Sequence, residues 1–392
     1  MSPADTVAYL LSPRAVREQA TRMLALAEAG DLTSFAVDAD RLDDVVARVI
    51  ATIRAHYPDV ARFPPHSRWR HFDVGGIDRA GQLDARLAGL PAEQALRARF
   101  DLVVTSVLLD AGAGPVWRFH EPGSGQVFGR SEGLAVASFH MFMAGGFSST
   151  PDAPLRADAA GLEAVTEASL ARFFQVTDGN PMVGLPGRVA LLQRLGGVMR
   201  SSRHLAELLP ERAAGGSLPA ADVLASVLAV LGPIWPGRQT FDGVNLGDTW
   251  PHPQLGLVPL HKLSQWLTYS LLEPLETAGI TVIDLDALTG LAEYRNGGLF
   301  LDAGLLVPRS PELLVATHDV GAPAVVEWRA LTVALLDRVA GELRRRLGVD
   351  AATLPLAKVL EGGTWRAGRA IAAERRADAS PPLRVRSDGT VF

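Results

Sequence analysis

The sequence predicts a mainly α protein that carries small β-hairpin appendages. Apolar residues recur at helical spacing along most of the 392-residue chain, whereas runs with strand-like alternation are few and short. Helix boundaries are marked as well, since Ser12-Pro13 precedes an amphipathic run that ends at Gly30. Many helical segments with only isolated strands are typical of a mainly α fold.

The helical pattern extends over both halves of the chain. The first predicted helix begins at Pro13, and a second begins at Asp40. The spacing of apolar residues predicts further helices at 77–89, 92–111, 131–145, 158–174, 187–200, 219–232, 258–278, 284–293, 323–347 and 355–376.

Strand-like segments are short and separated along the chain. Two of them are joined by Pro122-Gly123-Ser124-Gly125, a turn sequence that predicts a β-hairpin. The strand-like segments are 115–121, 125–129, 297–308 and 383–392.

The length of the chain allows two domains or one elaborated domain. A soft boundary near residue 150 would separate two regions. Residues 1–150 would form an N-terminal helical region with the hairpin, and 151–392 a C-terminal helical region that carries most of the polar motifs. The two regions could also form a single integrated domain.

Composition narrows the class of protein. Apolar residues make up 48% of the chain and charged residues 21%, as in ordinary globular proteins. The net charge of −5 argues against a nucleic-acid partner, which usually requires a basic surface. We find no signal peptide, and no apolar run approaches the roughly 18 residues of a membrane span. A cytoplasmic protein is therefore expected.

Sequence motifs for metals and cofactors are missing. The chain has no cysteine, which excludes disulfides, thiolate chemistry and cysteine-ligated metals. The histidines are not set at metal-ligand spacing, and no glycine-rich phosphate loop, dinucleotide fingerprint or nucleophile elbow is present. We therefore predict neither a metal nor a cofactor.

Polar residues concentrate between Gln239 and Val307, at places that packing does not explain. Lys262 is one of only two lysines in a chain whose other basic residues are arginines, apart from histidine. A lysine here favours a compact ammonium or an amine of adjustable pKa. The run Glu293 to Gly298 combines a carboxylate, a phenol and a guanidinium with paired glycines, and indicates either a site or a solvated helix end.

The segment around Lys262 predicts a polar stripe on an apolar helix. His261, Lys262 and Gln265 share one side of that helix at spacings of three and four. A buried lysine needs an anion. The ammonium either extends to solvent or meets a ligand phosphate or the carboxylate of Glu293.

Two further constellations could bind a ligand. Asp242 and Asp248 lie in turn sequences beside Trp250, so that the indole could stack on a base or a sugar. Ordinary surface turns are the alternative.

The segment His66–Asp73 contains Arg70, whose guanidinium could hold a phosphate or a carboxylate. A structural network of ion pairs is the alternative for that segment.

At these residues the chain resembles a known family. The segments that carry the likeness are SRWRHFDVGG, SEGLAVASFHMFMAGGFSS, TFDGVNLGDTWPHP, PLHKLSQWLTYSLLEPL and LTGLAEYRNGGLF, and they resemble the uracil catabolism protein 4 family over the whole length. The resemblance implies a part in the uracil-degrading route that proceeds through ribosylated uracil and ribosylurea.

A more distant resemblance suggests the chemistry. The queuosine-salvage nucleosidases carry Lys-x-x-Gln on an apolar helix and later Leu-Thr-x-x-Ala-Asp-Tyr-Arg. This chain has Lys262 to Gln265 and Leu288 to Arg295, with Glu293 in place of the aspartate. The likeness implies a fold like that of the helical DNA glycosylases and cleavage of a ribose N-glycosidic bond. It also implies that Glu293 is the catalytic carboxylate and that Lys262 binds a substrate phosphate or hydroxyl.

The resulting prediction is an N-ribosyl hydrolase that acts on ribosylurea or its 5′-phosphate. Such cleavage passes through an oxocarbenium-like state that a carboxylate stabilises. Asp242, Asp248 or Asp302 could supply a second carboxylate, and we place Asp242 with Glu293 as catalytic. The expected substrate contacts are Lys262, Gln265, Tyr294, Arg295, His261, Trp250, Asp248, Arg70 and Asp302.

Two other functions remain open for the sequence. One is a hydrolase of the ureido C–N bond in the same route, although the chain shows neither a metal motif nor a strong nucleophile for it. The other is a non-catalytic partner of a pathway enzyme that binds the ligand without turning it over. In each case the expected partner is a small ribosylated molecule, and the oligomeric state is not predicted.

Overall fold

Helices dominate the computed structural model, which describes residues 2–57, 59, 63–386 and 390 and confirms the mainly α class. None of the described helices is both long and apolar enough to cross a membrane. The α-helices in the described part of the chain are α1 (Pro3–Leu10), α2 (Pro13–Ala29), α3 (Leu42–His56), α4 (Arg68–Phe72), α5 (Arg79–Leu87), α6 (Ala92–Leu108), α7 (Arg130–Met143), α8 (Ala159–Glu163), α9 (Glu167–Phe173), α10 (Leu185–Ser201), α11 (Leu205–Arg212), α12 (Ala220–Leu231), α13 (Lys262–Thr277), α14 (Tyr294–Asp302), α15 (Glu312–Val315), α16 (Pro323–Leu347), α17 (Leu356–Val359) and α18 (Trp365–Arg375).

Short strands pair two by two. They are β1 (Phe35–Val37), β2 (Phe119–His120), β3 (Val127–Phe128), β4 (Ser217–Pro219), β5 (Thr240–Phe241), β6 (Val244–Asn245), β7 (Thr249–His252), β8 (Gly256–Pro259), β9 (Thr281–Ile283), β10 (Leu306–Pro308), β11 (Thr317–His318) and β12 (Arg384–Val385). β2 and β3 form the antiparallel hairpin that the sequence predicts. The pairs β5–β6, β7–β8 and β1–β10 are also antiparallel, whereas β4–β9 and β11–β12 are parallel.

The described chain divides into two compact units. The first comprises the described residues of Met1–His66, Arg238–Gln265 and Asp284–Arg386. Its core is built on α16, whose 25 residues are mostly buried and which packs against α2, α3 and α14. A helix that is buried along most of its length is expected at the centre of a unit.

The second unit comprises the described residues of Ser67–Gly237, Trp266–Ile283 and Ser387–Phe392. Its central helix is α6, in which every residue from Phe100 to Leu108 is buried, and which packs against α4, α7, α10 and α11. The soft boundary that the sequence suggests near residue 150 falls within this unit.

The helix predicted at 284–293 is wrong. Only a short 3-10 turn forms there, at Leu285–Ala287, and the chain then runs non-helically to Glu293. The amide side chain of Gln265 explains the difference, because its Oε1 accepts hydrogen bonds from the backbone N–H and the hydroxyl of Thr289 at 2.8 and 3.0 Å. A tertiary hydrogen bond thus replaces the helical one that the apolar spacing suggested.

The strand predicted at 297–308 is largely wrong as well. Its first part is helical within α14, and only Leu306–Pro308 forms a strand, β10. The paired glycines lie inside the helix instead of ending it. Gly297 lies against Trp328, whose indole N–H donates to the Gly297 carbonyl at 3.0 Å, so glycine serves close packing here and not a turn.

Three further boundaries differ from the prediction. The helix expected at 158–174 is split, because Thr166 and Ser169 form a capping box that begins α9. The helix expected at 355–376 contains a π-helical turn at Leu360–Thr364, between α17 and α18. Of the strand expected at 383–392, Arg384–Val385 forms β12, while 387–389 and 391–392 lie outside the described residues.

Replacing Gly297 by alanine should destabilise the protein. A Cβ added at Gly297 would lie 2.6 Å from the indole of Trp328, and the helix would have to move to admit it. Overpacking of this kind costs about 1–3 kcal/mol. Unfolding in urea would measure the change in the free energy of unfolding.

The matched control is Gly341→Ala. Gly341 is an exposed position within α16, and nothing lies within 4 Å of an added Cβ. Alanine there should raise stability by about 0.5–1 kcal/mol, because it restricts the unfolded chain and favours the helix. Equal effects of the two substitutions would refute the packing role of Gly297.

Candidate active site

Glu293 is the N-cap residue of α14. Its backbone is extended, and its carboxylate accepts hydrogen bonds from the backbone N–H groups of Arg295 and Asn296 at 2.6 and 2.7 Å. Only 8% of the residue is exposed. Two backbone donors at the positive end of the helix dipole fix the orientation of the carboxylate.

Gln265 brings the Lys262 helix and the Glu293 segment together. It is fully buried, accepts from Thr289 as described above, and donates from Nε2 to the carbonyl of Leu260 at 3.2 Å. The two motifs that the sequence singles out therefore lie side by side in the first unit. Lys262 begins α13 and is 7% exposed.

Asp248 joins several of these segments through one carboxylate. It accepts two hydrogen bonds of 2.8 Å from the guanidinium of Arg329, one of 2.7 Å from the indole of Trp250, and one of 3.0 Å from the backbone N–H of Lys262. Arg329 is 1% exposed and also donates to the carbonyl of Ala292 at 3.4 Å. The pair therefore links the start of α13 to the residue that precedes Glu293.

The electrostatics of Asp248 follow from these contacts. Burial alone raises the pKa of its carboxyl, but the Arg329 guanidinium and the Trp250 indole outweigh burial and hold that pKa well below its usual range. Asp248 is thus charged at neutral pH, and its hydrogen bonds to Arg329 are those of a two-point ion pair.

His261 precedes α13 in a left-handed backbone conformation, with φ of 43°. Its side chain is buried, and Nε2 donates to the carbonyl of Leu10 at 2.7 Å. Burial lowers the pKa of the imidazole, so the ring is neutral at neutral pH. Strained backbone of this kind is common beside functional residues, and here it lies next to Lys262.

Tyr294 and Arg295 form the first turn of α14 and are half-buried. The guanidinium of Arg295 donates to the carbonyl of Ala379 at 2.9 Å. The backbone carbonyl of Arg295 approaches α18 so closely that a Cβ on Gly368 would lie 2.0 Å from it. This contact fixes the start of α14, and with it Glu293, against α18.

Two predicted site residues of the first unit, Asp242 and Asp302, lie in other surroundings. Asp242 is exposed, and with Gly243 it forms the turn of the β5–β6 hairpin, where its φ is 50°. Asp302, at the end of α14, makes a two-point ion pair with Arg376 at 2.7 and 2.6 Å. Their roles at a ligand stay predictions.

Arg70 lies in the second unit, on α4. Its guanidinium pairs with the carboxylate of Glu273 and lies 3.5 Å from that of Asp73. The neighbouring Arg68 is fully buried and pairs with Asp110 at 2.5 Å. These ion pairs match the structural alternative for this segment, and ligand binding by Arg70 also stays a prediction.

Sequence reasoning missed two residues of the site. Arg329 is missing from the predicted site residues. It lies among buried apolar residues of α16, and a charged residue in such a stretch could have indicated a functional role. Asn296 is fully buried and donates from Nδ2 to the carbonyl of Leu291 at 3.3 Å. Within the described ranges, no group of three or more histidine, aspartate or glutamate side chains is arranged to hold a metal ion.

Comparison with known proteins places this site in a family. A family model described as "Protein of unknown function (DUF1688)" matches residues 9–392. The chain belongs to this family. The DUF1688 chain is 41% identical over 399 residues to "Protein urg3" of Schizosaccharomyces pombe, with 99% of each chain covered. It is 34% identical over 444 residues to "Uracil catabolism protein 4" of Lachancea kluyveri, with both chains covered in full.

Asp248→Asn should destabilise the DUF1688 chain strongly. It removes the charge that compensates the buried Arg329 guanidinium, and breaking a buried ion pair on one side costs about 3 kcal/mol. Chemical denaturation would measure the loss. Glu18→Gln removes one partner of the exposed pair with Arg14 and should leave stability nearly unchanged, because solvent screens such a pair. A loss at Asp248 no larger than this would contradict the assigned role.

His261 should make stability depend on pH. Its pKa is lowered in the folded chain and lies near 6.5 in the unfolded chain, so the unfolded chain binds more protons as pH falls below about 6.5. The free energy of unfolding should therefore fall with pH below 6.5, by up to about 1.4 kcal/mol per pH unit.

Substitution isolates this contribution. His261→Asn, which tolerates the left-handed backbone, should flatten the fall in stability between pH 7.5 and 5.5 in urea unfolding. His120→Asn, at an exposed position, is the matched control and should keep the slope of the unmodified chain. Identical slopes for all three proteins would show that His261 does not contribute.

Proposed function

We propose that this chain is an N-ribosyl hydrolase of uracil catabolism that cleaves ribosylurea or its 5′-phosphate. The observation that carries the proposal is the carboxylate of Glu293, nearly buried and oriented by two backbone N–H groups. The pathway is supported by the name of the full-length relative, "Uracil catabolism protein 4".

The chemistry requires negative charge beside the sugar. When the ribose C–N bond breaks, positive charge develops at the anomeric carbon and the ring oxygen. A carboxylate already fixed in place stabilises that charge without reorganising, either as a nucleophile or as a base that positions water. Water supplies a hydroxyl to the anomeric carbon and a proton to the leaving nitrogen, so the products are urea and ribose or ribose 5-phosphate.

The neighbouring residues have separate roles in this proposal. Lys262 and Arg295 are the cations that would bind a phosphate or hydroxyl oxygen of the sugar. Gln265 and the Asp248–Arg329 pair position the segment that carries Glu293 through Thr289 and the Ala292 carbonyl. Contact of Gln265 and Asp248 with the substrate stays a prediction. Contact of Tyr294 and Trp250 with the sugar ring stays a prediction.

Glu293→Gln should reduce turnover of ribosylurea by about a thousandfold or more, because the amide carries no charge for the oxocarbenium-like state. Stability should fall by only about 1 kcal/mol, the usual loss for a weakened helix cap. Product analysis with ribosylurea and separately with its 5′-phosphate measures the activity, and thermal unfolding measures the fold.

Asp158→Asn is the matched control. Asp158 is also 8% exposed and caps a helix, α8, by accepting from the backbone N–H groups of Ser149 and Gly161 at 2.9 Å. It should lose similar stability and keep full activity. A Glu293→Gln enzyme that remains active would refute the catalytic role. Release of ammonia without free sugar would show a ureido hydrolase instead, and binding without consumption of either compound would show a non-catalytic protein.

A further inference from the structure

The amide of Asn296 has a buried oxygen without a hydrogen-bond partner. The residue is fully buried, and its Nδ2 donates to the carbonyl of Leu291 at 3.3 Å, whereas Oδ1 has no donor within reach. The contact with a carbonyl assigns the nitrogen and oxygen of the amide, because an oxygen could not donate there. Buried polar atoms are nearly always paired, so an unpaired one requires an explanation.

This amide lies against the turn that carries Glu293. The Leu291 carbonyl that accepts from Asn296 Nδ2 also accepts from the backbone N–H of Glu293, at 2.9 Å. The backbone N–H of Asn296 in turn donates to Glu293 Oε1 at 2.7 Å. The side chain of Asn296 is therefore folded back onto the same turn, beside the proposed catalytic residue.

At the turn that carries Glu293, the donors are already paired, whereas several acceptors are not fully used. The backbone N–H groups of Arg295 and Asn296 are occupied by the Glu293 carboxylate. The acceptors that remain at this turn are the two oxygens of Glu293, each with a further lone pair, and the buried Oδ1 of Asn296. A ligand that fits this corner must bring hydrogen-bond donors, and a ureido group carries N–H groups on both of its nitrogens.

We propose that Asn296 is the residue that selects the ureido leaving group, with Oδ1 accepting an N–H of the substrate while Glu293 faces the adjacent anomeric carbon. This assignment rests on the proposed N-ribosyl hydrolase function and extends it to the specificity of the site. Asn296 transfers no proton in the reaction. It recognises the aglycone, since a compound without that N–H leaves the buried oxygen unpaired.

The test compares two substitutions that each remove a buried, unpaired oxygen. Asn296→Leu is the test variant. Thr364→Val is the matched control, because Thr364 is fully buried in the π-helical turn and its hydroxyl likewise has no partner. Asn296→Leu also removes the long hydrogen bond from Nδ2 to the Leu291 carbonyl, but that carbonyl keeps the backbone N–H of Glu293. The melting temperature should therefore change little in both variants.

Only Asn296→Leu should impair recognition of the substrate. We expect its KM for ribosylurea to rise about tenfold or more with kcat changed much less, while Thr364→Val keeps the unmodified KM. Free urea should inhibit the unmodified enzyme more strongly than Asn296→Leu, and free ribose should inhibit both equally. An unchanged KM in Asn296→Leu overturns the proposal, and so does an equal rise in both variants. If Asn296→Leu is no longer inhibited by ribose but is still inhibited by urea, Oδ1 of Asn296 binds a sugar hydroxyl. That result would also overturn the proposal.

Two further measurements separate this proposal from the proposed function. If the unmodified protein binds ribosylurea in calorimetry but does not cleave it, the hydrolase proposal fails; about tenfold weaker binding by Asn296→Leu then still supports the ureido contact. If the unmodified protein neither binds nor cleaves ribosylurea, both proposals are overturned. Should Asn296→Leu fail to fold, Asn296→Ala removes the same oxygen without added bulk and takes its place with the same expected results.

Discussion

The ion pair of Asp248 and Arg329 is the interaction on which the rest of the polar site depends. Its two hydrogen bonds join the segment before β7 to α16, and its remaining donors and acceptors extend to Trp250, to the backbone of Lys262 and to the Ala292 carbonyl. Taking two charges out of water is unfavourable, so a pair of this kind persists only with excellent geometry and further hydrogen bonds. The pair of Asp248 and Arg329 meets both conditions, with two hydrogen bonds of 2.8 Å between the side chains and further ones from Trp250 and the backbone of Lys262.

Glu293 caps a helix and is also the proposed catalytic residue, two roles that are usually separate. Serine, threonine, aspartate and asparagine are the common residues at a helix start, and the longer glutamate reaches both the second and third backbone N–H groups of α14. The same two hydrogen bonds that begin the helix also fix the orientation of a carboxylate that is only 8% exposed. One carboxylate therefore serves both the helix start and the proposed chemistry. The first turn of α14 is stabilised by the same group that would act on the substrate.

The sequence predicted the fold where local signals are strong. The bounds of α16 agree with the predicted 323–347, because Pro323 begins the helix and Gly348, with φ of 68°, ends it. The hairpin of β2 and β3 followed from its turn residues in the same way. These elements depend on neighbours within a few positions along the chain.

The errors arise where distant residues decide the local structure. Gln265 prevents a helix at Thr289, 24 positions away. Distant partners also set the surroundings of Arg70 and Asp302: Glu273 and Arg376 lie 203 and 74 positions away along the chain. No local pattern contains those pairings. The roles of Arg70 and Asp302 at a ligand stay predictions. Contact between the Lys262 and Glu293 segments was one of several alternatives from the residues alone, and the resemblance, which supplied both motifs together, favoured it.

The contact between Gly297 and Trp328 has a consequence for how the family can change over time. The indole fills the space that any side chain at position 297 would need, and it also holds the Gly297 carbonyl. A larger residue at 297 is therefore accessible only to a lineage in which the tryptophan has already been replaced by something smaller. Substitutions at these two positions can accumulate in one order and not in the other.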